Sequence, residues 1–200
     1  MPRPRSYDDA LRQRLLEAAS TALAEGGGGG LSLRAVATAA GTTTAAVYTL
    51  FGGRKGLVDA VVAEGFRRFA AHLAAAPRTD EPLADLLALG LAYRRNAVEN
   101  PHFYRVLFQP DRAVGDGDRG VRNPTFGVLR EAVVRATGGG DEEATAVAVR
   151  LWALAHGLVS LELAGLLPGP AEQREEAYVR ALRGEPEIRP RAAQTHRPRA

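Results

Sequence analysis

The sequence predicts an all-α protein, and three observations carry that expectation. Apolar residues recur at helical spacing in almost every segment. The sequence has no alternating strand pattern and no Asn-Gly or Asp-Gly hairpin between β-branched runs. Alanine is the commonest residue, 37 of 200, while aromatics make up only 6%, a balance that suits closely packed helices. The chain is 46% hydrophobic and 24% charged, enough apolar material for a real core. Cysteine is absent, which excludes disulfide scaffolds, thiolate zinc sites, iron–sulfur clusters and cysteine nucleophiles.

The elements follow in order. Leu11, Leu15, Ala19 and Leu23 lie four apart, so a first helix is expected over 7–25, with Asp8 and Asp9 in its first turn. The glycines at 26–30 stop it. Ser32 is the expected N-cap of a short second helix that Gly41 ends. Thr42 and Thr43 offer hydroxyls to cap a third, over 44–50. Gly52-Gly53 break the chain before a long fourth helix that carries Leu57, Val61, Phe66 and Phe69. A loop at 77–82 leads to a fifth helix over 83–99, and Asn100-Pro101 restart the chain into a sixth over 103–108. Residues 110–123, rich in Gly and Asp, read as a mobile loop. A seventh helix is expected over 124–136. Acids at 141–143 open an eighth that continues to about 165, and Pro168-Gly169-Pro170 turn the chain into a ninth over 171–183. The proline- and arginine-rich stretch from 185 reads as a disordered basic tail.

Residues 32–51 carry the functional signal. Two short helices joined by a turn at Gly41-Thr42 fit a helix-turn-helix, and small residues such as Ala35, Ala37 and Ala40 let them cross closely. The second of the pair would enter a DNA major groove. Thr43, Thr44, Ala45 and Thr49 are its expected base-reading residues, because hydroxyls bond to bases and methyls meet thymine methyls. Arg54 and Lys55 follow the turn and suit phosphates. Arg34, Arg3 and Arg5 are further backbone-contact candidates.

The run Leu31-Ser32-Leu33-Arg34-Ala35-Val36-Ala37-Thr38-Ala39-Ala40-Gly41, then Ala45-Ala46-Val47-Tyr48-Thr49-Leu50-Phe51 and Arg54-Lys55-Gly56-Leu57, resembles the N-terminal domain of the TetR family of bacterial transcriptional regulators. The likeness spans 11–65. It implies that Tyr48 and the Arg54 position contact DNA phosphates; the family usually has lysine at the latter, and Pro-Ser where this chain has Gly52-Gly53. Further on, Asn100-Pro101-His102-Phe103-Tyr104-Arg105 and Trp152-Ala153-Leu154-Ala155-His156-Gly157 resemble the regulatory domain named for its Trp-His-Gly residues. That likeness implies a homodimer with an effector pocket. Phe69, Tyr93, Phe103, Phe108, Phe126 and Trp152 are the expected pocket walls, and with few charges among them the expected small-molecule effector is apolar or aromatic.

Residues 151–167 are apolar on almost every face except at His156, Ser160 and Glu162. A monomer buries one stripe of a helix, so a second subunit is the expected cover. Leu151, Ala155, Leu158, Glu162, Tyr178 and Leu182 are the expected dimer interface. The stretch is shorter than a membrane-spanning helix needs, and the N-terminus has no apolar run of the kind a signal peptide carries, so a cytoplasmic protein without a membrane partner is expected.

No catalytic or metal site is expected. The four histidines lack ligand spacing, the adjacent Glu142-Glu143 and Glu175-Glu176 face apart, and no serine lies in Gly-x-Ser-x-Gly. The combined expectation is a homodimeric repressor without a cofactor. Its partners would be a palindromic double-stranded DNA operator and a small effector. Its divisions would be 1–52 for DNA binding, 53–184 for ligand binding and dimerisation, and 185–200 for the tail. The alternatives are a DNA-binding dimer without an effector and, more remotely, a helical enzyme using the apolar cavity.

Overall fold

The computed structural model describes residues 5–26, 31–108 and 123–184, with side chains from residue 9 onward. Among these residues there are nine α-helices and no strand: α1 (Arg5–Gly26), α2 (Leu33–Ala39), α3 (Thr44–Phe51), α4 (Arg54–Ala74), α5 (Pro82–Glu99), α6 (Pro101–Phe108), α7 (Pro124–Thr137), α8 (Asp141–Leu163) and α9 (Ala171–Leu182). Every expected helix is present, with ends that differ by one or two residues. Arg3, residues 27–30 of the glycine run, most of the 110–123 loop and the basic tail lie outside the described residues, as does the side chain of Arg5.

The apolar stripe of α1 packs as its spacing requires. Leu11, Leu15, Ala19 and Leu23 are buried, joined by Leu16. They close a small core with Val36, Ala37 and Ala40 of the α2 segment, Val47 of α3, and Leu57 and Val61 of α4. Ser32 caps α2 by accepting a hydrogen bond from the Ala35 N–H at 3.3 Å. At the other end the Arg14 Nε donates to the Ala40 carbonyl at 3.2 Å, which satisfies an acceptor the helix leaves open. One expectation fails here. Thr43 stands at the N-cap of α3, but its side chain makes no cap hydrogen bond.

Between α3 and α4 the chain needs two left-handed residues, Gly52 at φ 70° and Gly53 at φ 118°. Side chains other than glycine's are strained there.

Helix α4 continues out of this three-helix head into the body, where Val62, Phe69 and Leu73 are buried. Helix α6 packs on both α1 and α4. Leu107 sits against Gly65, where a Cβ would lie 3.2 Å from its Cδ2. One continuous core therefore runs from α1 to α9, across the Gly52-Gly53 break. A smaller core of Phe126, Val133, Ala144 and Ala148 joins α7 to α8.

Buried ion pairs fix the outer helices. Arg94 of α5 donates twice to Glu162 of α8, at 2.8 Å each, and to Glu175 of α9 at 2.6 Å. Arg174 adds a second cation beside Glu162 at 3.1 Å. Burial works against the Glu162 carboxylate, but Arg94 and Arg174 outweigh it and hold its pKa below the ordinary glutamate value. Tyr178 donates to the Gly90 carbonyl at 2.9 Å, and Leu182 lies so close to Gly90 that a Cβ there would sit 2.5 Å from its Cδ1. Pairing Arg94 with Glu175 and Gly90 with Tyr178 and Leu182 makes α9 antiparallel to α5.

Candidate functional site

Helices α2 and α3 present a polar, largely exposed face. Arg34, Thr43, Thr44, Ala45, Tyr48, Thr49, Arg54 and Lys55 are all exposed. Tyr48 is 60% exposed, which sets aside a core role for its ring. The ring rests on Gly53, where a Cβ would meet its Cε1 at 3.3 Å, so the phenol is held outward at the entry to α4. Thr49 donates its proton to the Ala45 carbonyl at 3.0 Å and keeps its oxygen lone pairs for an incoming donor. The Thr43 hydroxyl, unused in capping, is available at the tip of α3. Lys55 pairs with Asp59 at 2.6 Å, so part of its charge is answered locally, whereas Arg54 projects beside it.

Gly56 is a close-packing position beside this face that the sequence reading missed. An ideal Cβ there would fall within bonding range of the Phe51 carbonyl oxygen, a backbone atom unable to swing aside. The absent side chain sets how closely α3 approaches α4. A glycine in the first turn of a good helix was the available signal.

Behind the head, one side chain ties four elements together. The Arg68 guanidinium reaches Glu64 on α4 at 2.8 Å, Glu17 on α1 and Asn100 at the end of α5 at 2.8 Å. Its face covers the Phe103 ring of α6, with its Cζ 4.1 Å from the centroid. Phe103 was expected in the pocket wall; it is instead buried under Arg68, because a desolvated guanidinium is best covered by an aromatic face. Glu64 also receives two bonds from Arg67 at 2.7 Å. Arg67 contributes most to lowering the Glu64 pKa from 4.5 to about 2; burial opposes the shift and Arg68 adds to it. The folded value lies below the unfolded one. The ionised carboxylate therefore stabilises the fold fully above about pH 4.5, and this stabilisation is lost as pH falls toward 2. Urea titrations across that range should show the loss, and Glu64→Gln should remove part of the slope; an unaltered slope would contradict this role.

The body encloses an apolar cavity of about 730 Å³, walled by α4 through α9. Of the expected wall residues, Phe69, Tyr93, Phe108, Phe126 and Trp152 line it, while Phe103 does not. The aromatic rings meet edge-on or tilted, with Phe69–Tyr93 centroids 5.2 Å apart and Phe126–Trp152 centroids 5.8 Å apart. Behind its Tyr93 wall lies a hydrogen-bonded triad. The Tyr104 and Tyr93 hydroxyls lie 2.7 Å and 3.1 Å from His156 Nδ1 and 2.9 Å from each other. Burial pushes the Tyr93 phenol up to about 12 and lowers the His156 pKa, so the triad is uncharged near neutral pH. Among the described residues no group of three or more His, Cys, Asp or Glu could hold a metal ion.

The expected dimer residues are corrected in part. Ala155 and Tyr178 are buried within the chain, and Glu162 is consumed by Arg94 and Arg174. Leu151 and Leu182 line the cavity, and Leu158 packs on the main core. The outward face of α8 is a different set, with Val149, Ala153, Leu154, Leu161 and Ala164 exposed. Leu154 and Leu161 are 38% and 42% exposed. This helix is long and apolar enough to cross a membrane by length and composition alone, a weak criterion that core helices also meet.

A helix-turn-helix head on a helical body defines a DNA-binding transcriptional regulator rather than an enzyme. Residues 15–61 match the family described as bacterial regulatory proteins, tetR family. Residues 86–184 match a tetracyclin repressor-like, C-terminal domain. The chain belongs to the TetR family, whose regulators bind DNA operators and typically act as dimers. Similar solved structures include a TetR-like transcriptional regulator from Rhodococcus sp. RHA1, 19% identical, covering 92% of this chain and 100% of that one at a TM-score of 0.69. A protein of unknown function from the same organism is 28% identical, covering 87% and 94% at 0.66. PfmR, a TetR family transcriptional regulator from Thermus thermophilus, is 20% identical, covering 86% and 94% at 0.67. No curated protein matches the sequence.

Proposed function

We propose that this protein is a homodimeric, cytoplasmic repressor that a small apolar or aromatic effector releases from a palindromic operator. The observation that carries the reading is the aromatic-walled cavity, bounded by the same α4 and α6 that pack against the head. Its size falls in the usual range for ligand pockets. In this reading residues 1–52 form the DNA-binding unit and 53–184 the regulatory one. The second shares the Trp152-to-Gly157 run with regulatory domains of the Trp-His-Gly type.

Two recognition helices related by a two-fold axis would meet half-sites one duplex turn apart, about 34–36 Å, or a multiple of that. Thr43, Thr44, Ala45 and Thr49 would face base edges, while Arg34, Tyr48, Arg54 and Lys55 would hold the backbone. The short side chains on α3 leave much of the specificity to methyl contacts and DNA shape. An effector against Leu107 and Phe108 would press α6 toward α1 and push Leu107 against the Gly65 notch of α4. The tilt of α4 would then reset the spacing of the heads. Such coupling acts through unequal effector affinity for the two states, typically about 1–3 kcal/mol.

Two variants test the DNA and dimer parts. Arg54→Ala should weaken binding to all duplexes alike and flatten the log–log salt dependence by about one unit. An unchanged slope would mean that Arg54 does not touch phosphate. Leu161→Glu puts a charge in the middle of the exposed α8 face. It should yield a folded monomer by light scattering, with operator affinity lowered; a dimer of unchanged strength would place the interface elsewhere. A pocket filled by its own side chains would favour the effector-free alternative, and the open volume here favours the ligand.

A further inference from the structure

The cavity is walled mainly by apolar side chains. Among the described residues that line it, Arg183 is the one formal charge, and no carboxylate lines it. Arg183 follows the last turn of α9 as its C-cap and is exposed. Its side chain makes no hydrogen bond or ion pair among the described residues. Arg94 of α5 and Arg174 of α9, by contrast, are tied to Glu162. Because α9 runs antiparallel to α5, the end beyond Leu182 lies toward the first turns of α5. There Leu83 lines the same cavity and is 72% exposed, so this end is the mouth. The polar residues that line the cavity besides Arg183, namely Tyr93, Asn123 and Thr125, are uncharged.

From this arrangement we infer that the effector is an amphipathic anion, with an apolar body in the cavity and a carboxylate at the mouth on Arg183. The inference rests on the cavity being the effector site and deepens it by fixing charge and orientation. A guanidinium at the rim of an apolar cavity selects a planar two-oxygen anion, since it can donate two parallel N–H bonds to it. A cationic ligand would meet Arg183 at the entrance and find no carboxylate among the described wall residues. A neutral ligand would gain the apolar contact alone.

Trp152 is the single tryptophan of the chain and lines the cavity, so its fluorescence reports occupancy directly. The full-length protein is titrated with dodecanoate and 1-dodecanol, and with 4-phenylbutyrate and 4-phenylbutanol as a compact aromatic pair. In at least one pair the acid should bind about tenfold more tightly than its alcohol. Arg183→Gln, a change at an exposed side chain with no partner among the described residues, should equalise the two while leaving the affinity of the alcohol unchanged. Equal binding of acid and alcohol, or a preference that survives Arg183→Gln, would overturn the anion inference and leave the cavity reading intact. Failure of all four probes to alter Trp152 emission would overturn both.

Discussion

Gly56→Ala is expected to weaken DNA binding without touching any DNA-facing side chain. The new methyl would collide with the Phe51 carbonyl, so α3 and α4 must part. Overpacking costs about 3 kcal/mol at the upper end of its usual range. The better helix propensity of alanine returns about 1 kcal/mol. The net loss of about 2 kcal/mol should lower Tm by about 4–8 °C for a chain of this length. Duplex affinity should fall about tenfold or more, since Tyr48 and Thr49 ride on α3 while Arg54 and Lys55 ride on α4. Calorimetry and a gel-shift titration of the variant check both numbers. Wild-type affinity would mean that the spacing of the two helices is immaterial to the DNA face.

Arg94→Ala should be the most destabilising single change in the body. It strands Glu162, a carboxylate whose side chain is 7% exposed, with only the partly exposed Arg174 to answer it. Removing one member of a buried ion pair typically costs about 3–5 kcal/mol. The expected drop in Tm is about 6–20 °C. The cost comes from the uncompensated carboxylate rather than from lost attraction. The double variant Arg94→Met with Glu162→Met should therefore recover most of the stability. If the double variant is as unstable as the single one, packing rather than charge is the cause.

These residues also show what the sequence conceals. The four-residue spacing in α1 was legible because one face is apolar and the others are not, which fixes the rotation of the helix. Glycine stops and the Ser32 cap marked boundaries for the same local reason. Helix α8 lacks that asymmetry. Its circumference is apolar almost throughout, so the sequence left its rotational phase open, and Ala155 looked outward where it points inward. Glu162 looked like an interface charge because its partner, Arg94, is 68 residues away. Phe103 was misplaced by the same kind of gap, its Arg68 partner lying on α4. The aromatics that do line the cavity were legible only as large apolar residues on converging helices. Close approaches at Gly65 and Gly90 depend on which helices cross, which local pattern does not encode.

The proposed repressor works only if two identical heads read double-stranded DNA together. Repeated selection of bound duplexes from a random pool, followed by sequencing, tests this without an operator in hand. Inverted repeats with half-site centres separated by one turn of the duplex or a whole multiple are the predicted product. Enrichment of unpaired half-sites, or no enrichment at low salt, would contradict it.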